Sequence, residues 1–248
     1  MTVHTDRDNA WIQRFGRSSS GDLSLVCFPH AGGAASFYHP LSRLLPSSVN
    51  MLAIQYPGRQ DRRAEPCVEN LAELADRVHE VLQPLTGQPL ALFGHSMGAT
   101  LAFEVSRRLE EQGVTPVHLF VSGRRAPSRH RSEGVHLRDD QGLIEELKEL
   151  SGTDARLLDD EELLSMILPA LRGDYKAAET YVYRPGDPLT CPVTMFTGDA
   201  DTRVSPEDAA AWREHTTGPF ELMTFDGGHF FLTGHLQRIT EVITSALR

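Results

Sequence analysis

The sequence predicts an α/β domain, a mainly parallel sheet flanked by helices with a helical insertion over 125–185, and three observations carry that expectation. Apolar runs of strand length alternate with segments whose apolar residues recur every three or four positions, the rhythm of a parallel sheet with crossover helices. One such junction holds Gly94-His-Ser-Met-Gly98 between the apolar run Pro89-Leu-Ala-Leu-Phe93 and a helical pattern from Ala99 to Glu111. Ahead of the strand pattern at Val193, a long stretch carries helix caps and few strand signals. At 248 residues the chain is read as one domain, 1–248, since α/β folds often run past ~200 residues before splitting.

Taken in order, Leu23-Ser-Leu-Val-Cys-Phe28 reads as a strand running into the loop Pro29-His-Ala-Gly-Gly33. Pro89–Phe93 reads as a buried strand, and in the helix after it Leu101, Val105 and Leu109 fall on one face. His118–Ser122 is a further strand, and Arg124-Arg-Ala-Pro-Ser-Arg-His-Arg131 leaves its carboxyl end with four arginines in eight residues. Asp139 or Asp140 can cap a helix through Leu150 that lines up Leu143, Ile144 and Leu147. Asp159 or Asp160 can cap a second carrying Leu163, Leu164, Ile167 and Leu168, and a third stretch runs from Ala170 to Tyr183. A lid built this way, with inward residues such as Leu164 and Met166, would line an apolar pocket; the alternative is that these helices pad the core. Val193–Gly198 and Glu221–Phe225 complete the strands.

The strand–turn–helix setting is what a G-x-S-x-G nucleophile elbow requires, because its glycines let the backbone turn sharply enough to expose the Ser96 hydroxyl. A serine needs a base to take its proton and a group to orient that base. In hydrolases of this kind they follow in the order serine, acid, histidine. His229, on the glycine-rich loop Asp226-Gly-Gly-His229 after a strand, fits the base. Asp199 and Asp201, on the loop after Val193–Gly198, compete for the acid; Asp201, farther into the loop, turns back more easily toward an imidazole. Asp199 has the alternative of capping the turn, and Asp226 that of a turn former. The oxyanion of an acyl-transfer intermediate needs backbone donors. By position these are the N–H groups of Ala31, in the Pro29–Gly33 loop, and of Met97, after the nucleophile. The triad with these donors defines an α/β-hydrolase fold for the chain.

Phe28-Pro-His-Ala-Gly-Gly33, Gln55-Tyr-Pro-Gly-Arg-Gln-Asp-Arg62, Phe93-Gly-His-Ser-Met-Gly-Ala99, Leu119-Phe-Val-Ser-Gly-Arg124, Leu171-Arg-Gly-Asp-Tyr175 and Gly227-Gly-His-Phe-Phe231 together resemble a type II thioesterase. These are the free-standing editing hydrolases of polyketide synthase and nonribosomal peptide synthetase pathways. The likeness spans the chain from Trp11 onward. It implies thioester hydrolysis, release of stalled or misprimed acyl groups from the phosphopantetheine arm of an acyl or peptidyl carrier protein, and the second aspartate of the Gly-Asp-x-Asp segment, Asp201, as the acid. A carboxylesterase or acyltransferase would use the same triad on small-molecule esters, and a binding protein of the same fold would have lost it.

Composition excludes other classes. A net charge of −10 argues against nucleic acid. Carrier proteins are also acidic, so docking would need a locally basic surface, for which Arg124, Arg125, Arg129 and Arg131 are the candidates; a solvated charge run is the other reading. Residues 1–9 lack an apolar core and no run approaches the ~18 residues of a membrane span, so a cytoplasmic protein off the membrane is expected. The three cysteines, 27, 67 and 191, form no metal-like pair, and no P-loop, dinucleotide or zinc motif occurs, so neither metal nor cofactor is expected. A monomer is expected.

Overall fold

The computed structural model describes residues 10–15, 23–129, 131, 133–150 and 160–248, the side chains of 161 and 163 excepted. Its seven strands are β1 (Ile12–Phe15), β2 (Leu23–Phe28), β3 (Val49–Ile54), β4 (Leu90–His95), β5 (His118–Ser122), β6 (Val193–Gly198) and β7 (Phe220–Phe225). They form one sheet in the order β1-β3-β2-β4-β5-β6-β7, antiparallel between β1 and β3 and parallel at every other pairing. The longer helices are α1 (Leu71–Leu82), α2 (Met97–Glu111), α3 (Asp140–Leu150), α4 (Glu161–Glu179) and α5 (Leu236–Ala246).

Strand side chains alternate between faces, and the core divides accordingly. Val26, Phe28, Leu52, Ile54, Leu92 and Val121 point to one side, where α1 and α2 bury Leu71, Leu74, Val78, Leu101 and Val105. Leu25, Cys27, Met51, Ala53, Phe93 and Phe120 point to the other, where α5 brings Ile239 and Ile243. The central strands are apolar on both faces because both are covered, as parallel sheets require. Asn70 caps α1 by accepting the Glu73 N–H at 3.0 Å.

Between β5 and β6 the chain builds the helical insertion. Its apolar residues form a separate small cluster of Val135, Leu143, Leu164, Leu168 and Leu171. Asp139 accepts the Gly142 N–H at 2.9 Å and Asp160 the Glu162 N–H at 3.0 Å, so each candidate aspartate pair supplies a cap; Asp159 lies outside the described residues. The expected third helical stretch is not separate: α4 continues through Pro169 to Glu179, and 180–188 is irregular. Pro169 interrupts one backbone bond, but Leu168, Ala170 and Leu171 are buried on either side of it and packing carries the helix through. Leu164 points inward as expected, whereas Met166 is exposed. The acid-bearing and histidine-bearing loops leave adjacent strands, β6 and β7, and the Pro29–Gly33 loop leaves β2, the second described strand, beside β4.

Candidate active site

The elbow is forced by its glycines. Ser96 sits at φ 54°, the left-handed region that costs a side-chain-bearing residue strain. A Cβ on Gly94 would lie 2.1 Å from the Gly98 carbonyl oxygen, and one on Gly98 would lie 2.0 Å from the Phe28 carbonyl oxygen. Neither backbone contact can give way, so both positions exclude every other residue. The Ser96 N–H donates to the Ser122 carbonyl at 2.8 Å, tying the elbow to β5. Because α2 starts at Met97, its N-terminus and the positive end of its dipole lie at Ser96.

On the neighbouring loops, His229 Nδ1 and Asp201 Oδ2 are 2.9 Å apart and both residues are buried. Asp201 Oδ1 accepts the Arg203 N–H at 2.8 Å, fixing the carboxylate from behind. Asp199 is exposed and accepts the Gly227 N–H at 2.9 Å, so it pins the histidine's loop rather than the histidine. Asp226 is exposed on the surface of that loop. Ser96 and His229 line one cavity of about 80 Å³, together with Ala31, Leu147, Ile167 and Leu171. Ala31 is half-buried and Met97 buried; among the described residues neither N–H has a protein acceptor.

Two further histidines, missed at the sequence level as part of the site, surround His229. His30 packs edge-on between Phe37 and Phe230, with ring centroids 4.6 and 4.9 Å away, and burial first, then His229, holds its pKa down to about 3. His95 lies 5.1 Å from the His229 ring, bonds Ser122 Oγ through Nδ1 at 3.0 Å, and is likewise held well below its ordinary range by burial. Both rings are therefore neutral near pH 7. A charge arriving on His229 is answered by Asp201, the carboxylate paired to it. Gly123, at φ 58°, makes room for this packing, since a Cβ there would lie 2.5 Å from His95 Cε1. Proximity of these residues in the sequence motifs was the available signal, but no periodicity exposed it.

The four arginines after β5 come together around a second cavity of about 60 Å³ that also reaches Ser96 and Met97. Their surroundings differ. Arg125 is buried, bonds Glu133, and donates to the Arg203 carbonyl at 3.2 Å. Arg129 and Arg131 are exposed and reach Glu214 at 2.7 Å and Asp208 at 3.2 Å. Among the described residues Arg124 bonds only neutral groups, Thr100 Oγ1 at 3.2 Å and the Ala178 carbonyl at 3.4 Å, and burial followed by Arg125 lowers its pKa to about 10. Burial pushes the Cys27 and Cys191 thiols up, so neither is poised as a thiolate. Among the described residues no His, Cys, Asp or Glu cluster is arranged to hold a metal, and no helix is long and apolar enough to cross a membrane.

A mostly parallel sheet with a serine elbow after one central strand and an acid and a histidine on the last two strand loops defines an α/β-hydrolase. The thioesterase domain family matches residues 24–247, and the chain belongs to that family. It is 51% identical over 247 residues to a probable cadicidin biosynthesis thioesterase of Streptomyces griseus, covering all of this chain and 68% of that protein. It is 50% identical over 239 residues to thioesterase PikA5 of Streptomyces venezuelae, covering 96% and 85% of the two. The structure of the type II thioesterase BorB from the borrelidin biosynthetic cluster superposes with a TM-score of 0.92 at 51% identity over 100% of both chains. The chain is a hydrolase of the thioesterase family, and its close relatives are type II thioesterases of polyketide and nonribosomal peptide pathways.

Proposed function

We propose that the chain hydrolyses acyl thioesters carried on the phosphopantetheine arm of an acyl or peptidyl carrier protein, with Ser96, His229 and Asp201 as its catalytic triad. The observation that carries this reading is the buried His229–Asp201 pair at 2.9 Å beside an elbow serine that opens onto the same apolar cavity as the histidine. Ser96 Oγ attacks the acyl carbonyl as His229 Nε2 takes its proton, and Asp201 stabilises the imidazolium through Nδ1. The tetrahedral oxyanion is held by the N–H groups of Ala31 and Met97, a contribution of about 3–4 kcal/mol per donor. The C–S bond then breaks. A thiol ionises near pH ~8.5, so the departing thiolate needs little help from His229. The imidazolium passes its proton to the departing sulfur, and the neutral histidine then takes a proton from water, which attacks the acyl-serine; that proton goes to Ser96 Oγ as the C–O bond breaks and the acid is released.

Two cavities meet at Ser96, and they suit the two halves of such a substrate. The one bordered by Leu147, Leu150, Ile167 and Leu171 is apolar and fits the acyl chain, which makes the 125–185 insertion a lid over it. The arginine-lined one fits the polar arm. Arg129, in an exposed ion pair with Glu214 worth ~0–1 kcal/mol, and Arg131, itself exposed although its partner Asp208 is half-buried, can exchange these partners for an acidic carrier, and Arg124 extends the same positive surface inward. Arg125 is committed to Glu133 and supports the loop. The enzyme acts as a monomer in the cytoplasm, where Cys27 and Cys191 remain buried and unpaired.

Mass spectrometry after mixing with an acyl-carrier protein tests this reading. The wild type should show a transient acyl adduct on Ser96 and hydrolyse the carrier-bound chain, while Ser96→Ala shows neither and keeps its melting temperature. An adduct on Cys67 would overturn the mechanism. Hydrolysis of oxygen esters but not of the carrier-bound thioester would overturn the substrate.

A further inference from the structure

Two sequence motifs that the triad leaves unused, Gln55–Arg62 and Leu171–Tyr175, meet at the loop that carries Ala31. From the insertion, Asp174 Oδ2 accepts the N–H of Gly32, the next residue after Ala31, at 2.8 Å. Leu171 of the same helix closes over Gly32, whose φ is +73°; a Cβ there would lie 2.7 Å from Leu171 Cδ1. From the sheet side, Arg59 holds Asp174 by two bonds, Nη1 to Oδ2 at 2.6 Å and Nη2 to Oδ1 at 2.8 Å. Its Nη1 also donates to the Gly33 carbonyl at 3.1 Å, which closes a ring through Gly32, Asp174, Arg59 and Gly33. Pro57 O takes the remaining Nε and Nη2 protons at 3.2 and 3.1 Å. Both charged residues are buried, Arg59 at 7% and Asp174 at 1% exposure.

A buried ion pair of this kind is a poor device for stability, because apolar residues of the same size usually do as well. It is a good device for direction. An oxyanion donor must sit within a few tenths of an ångström of its target, and a displacement of about 1 Å costs on the order of 10² in rate. We infer that Asp174, locked by Arg59, is a positioning residue that aims the Ala31 N–H at the oxyanion, so that helix α4 of the insertion is a working part of the oxyanion hole. This rests on the proposed role of Ala31 as a donor.

The double variant Arg59→Met/Asp174→Leu tests the inference, because it removes both charges together and strands neither. Its melting temperature should stay near that of the wild type. On a short N-acetylcysteamine thioester its KM should stay within about twofold while kcat falls about 10–100-fold. Affinity for an alkylboronic acid, whose tetrahedral adduct on Ser96 places an oxygen in the hole, should fall by the same factor. Asp174→Asn, which keeps an acceptor for the Gly32 N–H, should lose less, and it serves alone if the double variant does not fold. Unchanged kcat and boronate affinity in whichever variant folds would overturn the inference. Replacing Ala31 by its α-hydroxy acid, which exchanges the N–H for an oxygen, separates the two claims. If that exchange leaves boronate affinity intact, the donor assignment fails; if it lowers affinity while the Asp174 variants do not, only the positioning role fails.

Discussion

The carboxyl edge of the sheet and the helical insertion above it are held by different forces. At the edge, Ser96 and Asp201 stand on loops of the wholly buried strands β4 and β6, His229 is itself buried although its strand β7 lies at the sheet's rim, and the histidine rings around His229 are neutral and tightly packed. The insertion has a small apolar cluster and a network of charges instead. Glu146, at 1% exposure, receives Arg203 at 2.7 Å and Arg138 at 3.2 Å, and Arg203 also reaches Glu133 and Glu149 at 3.2 and 3.3 Å. Burial raises the Glu146 carboxyl while these arginines oppose the rise. Packed cores deform little, whereas regions with few apolar contacts open first. On the proposed reading the triad stands on the densely packed part of the molecule, whereas the apolar cavity is lined in part by the insertion, whose own apolar cluster is small.

The largest effect expected from this division lies at the edge. Asp201→Asn should lower kcat by about 10⁴, because an amide favours the wrong imidazole tautomer and cannot stabilise the imidazolium. The loss should be equal for short and long acyl chains. Asp199→Asn keeps an oxygen for the Gly227 N–H and should lose far less. Steady-state rates on an acyl-chain series check both statements, and a larger loss at Asp199 would reassign the acid.

On the cavity face of the insertion, away from Asp174, the expectation reverses: selectivity should move and chemistry should not. Ile167→Trp narrows the cavity shared with Ser96, and the misfit of a long chain should cost on the order of 1–3 kcal/mol. Long-chain thioesters should lose kcat/KM by about 5–150-fold on that scale, while acetyl and propionyl thioesters stay near wild type. A uniform loss across the series would show that α3 and α4 do not line the acyl pocket.

How far the sequence reveals each part follows from the same contrast. β2, β5 and β6 are mostly apolar and almost wholly buried, and the sequence marks them with the bounds the structure has. β1, Ile-Gln-Arg-Phe at an antiparallel edge, lacks an apolar run and goes unread, and β3 goes unread although Met51–Ile54 is a short buried apolar run. Helix α1 was legible in principle, since Asn70 caps it and Leu71, Leu74, Val78 and Leu82 keep one face. The elbow and the histidine loop stand out because glycine is demanded by local geometry. Arg59 and Asp174 are 115 residues apart. No local pattern joins them, since their pairing exists only once the insertion lies on the oxyanion loop. The four arginines after β5 are conspicuous as a run, yet only tertiary structure separates the buried Arg125 from the exposed Arg129 and Arg131.

The smallest expected effect is confined to acid pH and tests whether the stiff part owes its stability to uncharged histidines. His118 stacks on Phe120 with centroids 4.1 Å apart, bonds Thr194 Oγ1 at 2.8 Å, and is held by burial at a pKa of about 4. His215, enclosed by Phe103, Tyr183 and Trp212, is lowered by burial to about 4 as well. Unfolded, each ring binds its proton from about pH 6.5 downward, whereas the folded protein resists it until about pH 4. Their contribution to stability is thus complete above pH 6.5 and is lost as the pH falls toward 4, at about 1.4 kcal/mol per pH unit for each ring. His118→Phe keeps the stacking and removes the titration. Its unfolding free energy, followed by urea denaturation between pH 7 and 4.5, should fall less steeply than that of the wild type by about one ring's share. If the two slopes are the same, His118 is already protonated in the folded protein, and the stability of the sheet body under acid must be assigned to its carboxylates instead.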